Sequence, residues 1–152
     1  MQYFSLNKNA PRVGFEEAVI QGLAPDRGLY FPESITPLPH SFFKNIENLS
    51  REEIAFEAIK QFVGDEIPEN ELKQIIAETL CFDFPCVPVE EDIYSLELFH
   101  GPTMAFKDVG ARFMSRCLGY FNRHSDKKVT VLVATSGDTG GAVASGFLGV
   151  KG

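Results

Sequence analysis

Residues 128–134 read KVTVLVA, an almost unbroken apolar and β-branched run. A strand that alternates apolar and polar residues covers one face of a sheet. A strand apolar at nearly every position asks for cover on both faces, as in a parallel sheet flanked by helices. The flanking sequence agrees. Residues 93–99 (IYSLELF) are a second β-like run, and residues 106–121 and 139–148 carry helical patterns, giving the order β-α-β-α. Within 106–121, Phe106, Val109, Phe113, Cys117 and Phe121 recur at three- and four-residue steps, while Arg112, Arg116 and Arg123 fall mostly elsewhere. Such a helix packs on a sheet through a right-handed crossover. The expected class is α/β, with the start of a parallel sheet. Two parallel strands do not close a core, so the expectation is a truncated sheet that belongs to something longer.

The front half is patterned differently. Residues 13–22 predict a short helix with Phe15, Ala18 and Val19 on one side and Gly22 at its end. APDRG at 24–28 is a turn, residues 29–31 a short strand stopped by Pro32, and Pro37 and Pro39 keep the next stretch irregular. Ser50-Arg51-Glu52-Glu53 is a capping box and starts a helix that ends at Gly64. A second amphipathic helix, with Leu72, Ile75, Ile76, Thr79 and Leu80 on one face, follows Pro68. The acids Glu52, Glu53, Glu57, Glu66, Glu69 and Glu71 read as solvated faces. Residues 82–89, with Pro85 and Pro88, read as an extended connector. These features predict a small mixed amino-terminal domain over 1–85 and the beginning of a second domain over 86–152.

Charge narrows the partners. The net charge of −7 is concentrated in residues 1–90, which hold 15 acids against 7 bases, whereas 91–152 hold 6 against 7. An acidic front half argues against nucleic acid. No apolar run approaches the ~20 residues that span a bilayer, and the first ten residues lack a signal-peptide core, so no membrane partner is expected and the expected address is cytoplasmic. Cys81, Cys86 and Cys117 lack paired CxxC spacing, which fits reduced thiols better than a disulfide frame or a metal site.

Two stretches are candidates for chemistry. The first, LFHGPTMAFKD over 98–108, puts Lys107 at a helix start among Met104, Ala105 and Phe106. The helix dipole disfavours an ammonium there and apolar neighbours withhold solvent, which suits an amine used as a nucleophile. An ordinary exposed first-turn lysine fits the same residues. The second, ATSGDTGG over 134–141, follows the apolar run and opens a helix, where free amides and close backbone approach at glycines suit a carboxylate or phosphate. A capped strand-to-helix turn is the plainer alternative. It matches neither GxxxxGK[ST] nor GxGxxG, and Asp138 sits oddly in an anion loop unless it faces a donor. Both stretches fall at the carboxyl ends of the expected parallel strands, where open α/β sheets hold ligands.

ELFHGPTMAFKDVGARF around Lys107, VLVATSGDTGGAVA over 131–144 and FEEAVIQGLAPDRGLYFPE over 15–33 together resemble the threonine synthases. These are pyridoxal 5'-phosphate (PLP) enzymes of fold type II, the tryptophan-synthase-β-like group. The resemblance spans nearly the whole chain with the blocks in order. It implies that Lys107 holds PLP as a Schiff base and shuttles protons at the substrate's α and β carbons. By the same resemblance Phe106 and Asp138 contact the cofactor, and Ser136, Gly137, Asp138, Thr139 and Gly140 grip the substrate carboxylate. Asp108 matches the motif without an assigned role. The implied reaction turns the small-molecule substrate O-phospho-L-homoserine and water into L-threonine and phosphate. The cofactor-phosphate cradle and the residue facing the pyridine nitrogen belong to family regions beyond residue 152, so the chain alone is expected to bind PLP poorly and to be inactive. A threonine-synthase-like phospholyase and a non-catalytic module of the same fold share these motifs.

Overall fold

The computed structural model of the chain describes residues 1–126 and 128–151. The chain divides into two compact units, Met1–Ile76 and Ala77–Gly152.

In the first unit, β1 (Tyr3–Ser5) pairs antiparallel with β2 (Tyr30–Pro32), and Tyr3 also bridges Val13. Between them lies α1 (Phe15–Gln21); α2 (His40–Asn45), a 3-10 turn (Ile46–Asn48), α3 (Arg51–Val63) and α4 (Glu69–Thr79) follow. The capping box at the head of α3 forms as predicted. Glu53 N–H donates to Ser50 Oγ at 3.2 Å, and Ser50 N–H donates to Glu53 Oε2 at 2.7 Å. The core gathers Tyr3, Val13, Phe15, Val63, Ile67, Leu72, Ile75 and Ile76.

Two acids do more than solvate a surface. Glu66 accepts from Phe15 N–H and Glu16 N–H at 2.8 Å each, so it caps α1 from across the unit and is not part of a solvated face. Gly14, the cap position itself, has no side chain for the task, and a Cβ there would lie 2.8 Å from the Glu66 carboxylate. Asp26 accepts from Ser5 Oγ at 2.6 Å, from Asn9 N–H at 2.9 Å and from Gly28 N–H at 3.0 Å. These bonds hold its carboxyl below the usual carboxylate value, the Ser5 hydroxyl contributing most.

In the second unit, β3 (Cys86–Glu90) pairs antiparallel with β4 (Ile93–Leu96), with an irregularity between Pro88 and Glu90. Residues 86–89, expected as connector, are therefore strand. Proline lacks a ladder donor, but a two-stranded pair leaves every strand an edge, where that loss is tolerated. Residues 93–96 take this hairpin partner and not the run at 128–134. That run joins no ladder among the described residues, and Leu132 is 90% exposed. A backbone becomes strand only by pairing, and both of its edges lack a partner here. The α/β class stands with two antiparallel pairs and no parallel ladder among the described residues.

Two helices complete this unit, α5 (Lys107–Asn122) and α6 (Asp138–Phe147). They approach backbone to backbone at Gly146, where a Cβ would lie 3.0 Å from the Ala111 carbonyl. Arg116 donates to the Gly146 carbonyl at 2.8 Å and to Ser115 Oγ at 2.9 Å, and Ser115 Oγ lies 2.8 Å from the same carbonyl. The last turn of α6 is thereby tied to the middle of α5. Cys117, on α5, is fully buried, and burial pushes its thiol up to about 12. No helix among the described residues is long and apolar enough to cross a membrane.

Candidate active site

Both candidate stretches end up at helix starts within the second unit. Lys107 is the first residue of α5, half-buried, with Nζ 4.2 Å from the centre of the Phe106 ring. It has no carboxylate partner among the described residues. Phe106 itself is 61% exposed, so the ring and the amine share an open side.

The loop before Lys107 is fixed from within. Asp108 is 1% exposed, and its carboxylate accepts Thr103 N–H at 2.9 Å on Oδ2 and Thr103 Oγ–H at 2.7 Å on Oδ1. A buried carboxylate is tolerated here because both oxygens are bonded and the first-turn amides of α5 favour negative charge. Gly101 is buried against this acid, and a Cβ on it would stand 2.5 Å from Asp108 Oδ2 and 2.9 Å from Phe82 Cζ. Met104 is 80% exposed and takes a positive φ of 55°, a conformation that non-glycine residues hold only when their surroundings impose it.

Across from α5, α6 starts at Asp138 with Gly137 as its cap residue at φ 146°, a region that favours glycine, and with no side chain capping the helix. Gly137 N–H donates to Thr135 Oγ1 at 3.2 Å. A Cβ on Gly140 would lie 2.5 Å from the Thr135 methyl, so the turn folds closely over the helix start. The first amides of α6 have no helical acceptor and remain available to an anion.

The two helix starts share a groove of about 310 Å³, lined by Phe106, Lys107, Gly110, Ala111, Met114, Thr139 and Val143. The structure thus brings Lys107, Phe106 and Thr139 together. Ser136, Gly137 and Asp138 are exposed and do not line the groove, and Gly140 packs on Thr135 beside it. The stripe Lys107, Ala111, Met114 was not picked out from the sequence as a ligand-facing side of α5, although its four- and three-residue steps mark it. The Thr103–Asp108 contact was missed as well; a threonine five residues ahead of an acid in a helix's first turn is its only signal.

A family profile described as "Threonine synthase N terminus" matches residues 2–80. The chain belongs to the threonine synthase family. It is 41% identical over 153 residues to the threonine synthase of Escherichia coli K12, covering 99% of this chain and 35% of that protein. It is 37% identical over 169 residues to that of Saccharomyces cerevisiae, covering 98% of this chain and 33% of that protein. Among solved structures it resembles the PLP-bound threonine synthase from Brucella melitensis, with a TM-score of 0.93 and 35% identity, over 99% of this chain and 34% of that one. It also resembles the E. coli enzyme's crystal structure, with a TM-score of 0.90 and 40% identity, over 99% and 35%. The chain spans about a third of the length of the curated threonine synthases it matches. The mixed α/β architecture is that of the amino-terminal portion of these structures.

Proposed function

We propose that this chain is the amino-terminal third of a threonine synthase that converts O-phospho-L-homoserine and water to L-threonine and phosphate, with PLP held on Lys107. The observation that carries the proposal is the pairing of a half-buried lysine, with no carboxylate partner among the described residues, with the uncapped start of α6 across one groove. An amine that is accessible and not spent on an ion pair fits a carbonyl-bearing cofactor, and the apolar walls Phe106, Ala111 and Met114 fit an aromatic ring.

PLP, when bound, supplies an electron sink for the carbanion left when the α proton departs. The chain's own residues do the rest of what falls in this unit. Lys107 Nζ would hold the cofactor, and its amine, when not bonded to it, would accept and return protons at the substrate's α and β carbons. The amides of Asp138, Thr139 and Gly140, with the Ser136 and Thr139 hydroxyls, bind the substrate carboxylate at the positive end of α6. Asp138, exposed at that helix start, serves as acceptor toward a donor on cofactor or substrate. In this reading residues 1–85 form the family's amino-terminal domain, 86–152 begin the PLP-binding domain, the protein is cytoplasmic, and the 152-residue chain alone neither holds PLP firmly nor turns over.

Phosphate and threonine are to be measured together in the full-length protein given phosphohomoserine, with Lys107→Ala alongside. Equal yields of both products that vanish in Lys107→Ala support the reading. Phosphate released without threonine points to a phospholyase, and activity retained by Lys107→Ala excludes Lys107 as the cofactor lysine. Turnover by the 152-residue chain at the full protein's rate sinks the claim that it is inactive alone.

A further inference from the structure

We propose that Asp108 is a positioning residue for Lys107, acting through Thr103; the proposal rests on the reading that Lys107 carries the cofactor. The Asp108 carboxylate and the Thr103 backbone and hydroxyl close a ring that contains Met104, Ala105, Phe106 and Lys107. Every residue that decides where the Lys107 stem leaves the backbone lies inside that ring. One end of it, Asp108, is rooted in the first turn of α5, and its backbone N–H donates to the Ala105 carbonyl at 3.0 Å. Gly101 lies against that same end, where a Cβ on it would stand 2.5 Å from Asp108 Oδ2 and 2.9 Å from Asp108 Cβ.

Inside the ring the backbone is held away from its preferred state. Met104 has a positive φ with 80% of its surface in solvent, so packing of its side chain does not account for the conformation. What holds it is the turn: Met104 N–H donates to the Gly101 carbonyl at 3.0 Å while Thr103 is bound by Asp108. If one oxygen of Asp108 stops accepting, Met104 relaxes toward negative φ, and the peptide planes leading to Lys107 rotate with it. The amine then moves relative to Thr139, which stands on the other helix and is not part of the ring. Asp108 is buried and its oxygens are bonded to Thr103, so its effect on the chemistry passes through the loop.

Asp108→Asn tests this with little change of volume, since an amide offers one accepting oxygen for two donors. Thr103→Val removes only the hydroxyl bond and leaves the backbone bond in place. In the full-length protein, cofactor is reduced onto lysine with borohydride and the labelled peptide is identified; the pH midpoint of the lysine–cofactor absorbance, kcat and KM are then measured for each variant. The expected result is label still on Lys107, a displaced pH midpoint, and kcat lower by about 10- to 100-fold with KM nearly unchanged, as for a misplaced reacting group. Thr103→Val falls between wild type and Asp108→Asn, Thr103→Ser stays at wild type, and the double variant is no worse than Asp108→Asn alone. An unchanged midpoint and kcat in both variants, or effects that multiply in the double variant, overturn the proposal while leaving Lys107 as the cofactor lysine. No label on Lys107 of the wild-type protein overturns the underlying reading and the proposal together. If Asp108→Asn fails to fold, the Thr103→Val and Thr103→Ser pair decides by the same measurements.

Discussion

Replacing Gly101 by alanine places a methyl carbon 2.5 Å from Asp108 Oδ2, 2.9 Å from Asp108 Cβ and 2.9 Å from Phe82 Cζ. Carbon atoms in contact rest about 3.5–4.0 Å apart, so each of these neighbours would have to retreat by about half an ångström or more. None retreats cheaply. Asp108 Cβ is fixed to the first turn of α5, the carboxylate is committed to Thr103, and Phe82 packs on Phe84 with ring centres 5.0 Å apart. Overpacking of this kind costs about 1–3 kcal/mol, and loosening one hydrogen bond to a buried carboxylate adds about 1–2 kcal/mol. With a total near 2–5 kcal/mol and about 2–4 °C per kcal/mol for a chain of this size, the melting midpoint should fall by roughly 4–20 °C. Gly141→Ala is the matched control. It lies in α6 with open space around its Cβ position, so alanine there should be neutral or stabilising by up to about 1 kcal/mol. Thermal unfolding followed by circular dichroism compares the two. Gly101→Ala melting within a degree of wild type, or above Gly141→Ala, would refute the account of the loop as held by contact with Asp108.

Other consequences follow from the capping and burial described above. Glu66→Ala removes both acceptors at the start of α1 and should destabilise by about 1–2 kcal/mol, read as a lower midpoint in urea; no change would mean that α1 needs no cap. Asp26 has a folded-state carboxyl below its ordinary value of 3.8, so its contribution is complete above that value and is lost as pH falls through the lower folded value. Ser5→Ala, which removes the largest cause, should flatten that acid limb of stability, and an unaltered limb would contradict the assignment. Cys117, buried and pushed up to about 12, should resist iodoacetamide in the native chain while exposed Cys81 and Cys86 react; mass spectrometry of the labelled peptides that found Cys117 modified first would contradict the packing of α5.

What could be read from the sequence was what local rules determine. The capping box at Ser50 and Glu53 needs only residues three apart, and the helices from 51, 69, 107 and 138 announce themselves by apolar spacing. Glu66 as the cap of α1 could not be read, because donor and acceptor are some fifty residues apart and nothing in the spacing links them. The same holds for Arg116 on the end of α6. The run at 128–134 shows the opposite limit: its residues are suited to a buried strand, yet pairing depends on partners that the run does not itself contain. At the site, composition and the resemblance singled out Lys107, Phe106 and Thr139, which meet in one groove. Asp108 stood in the motif without a role, because its burial and its bonds to Thr103 exist only once the loop is folded.

The central claim is that Lys107 is the amine to which PLP attaches. Borohydride reduction of the full-length protein with PLP, followed by digestion and mass spectrometry, tests it directly. The account predicts a single phosphopyridoxyl adduct on the peptide containing Lys107, absent in Lys107→Ala and weak when the 152-residue chain is treated alone. An adduct on a different lysine, with Lys107 unmodified, would contradict it.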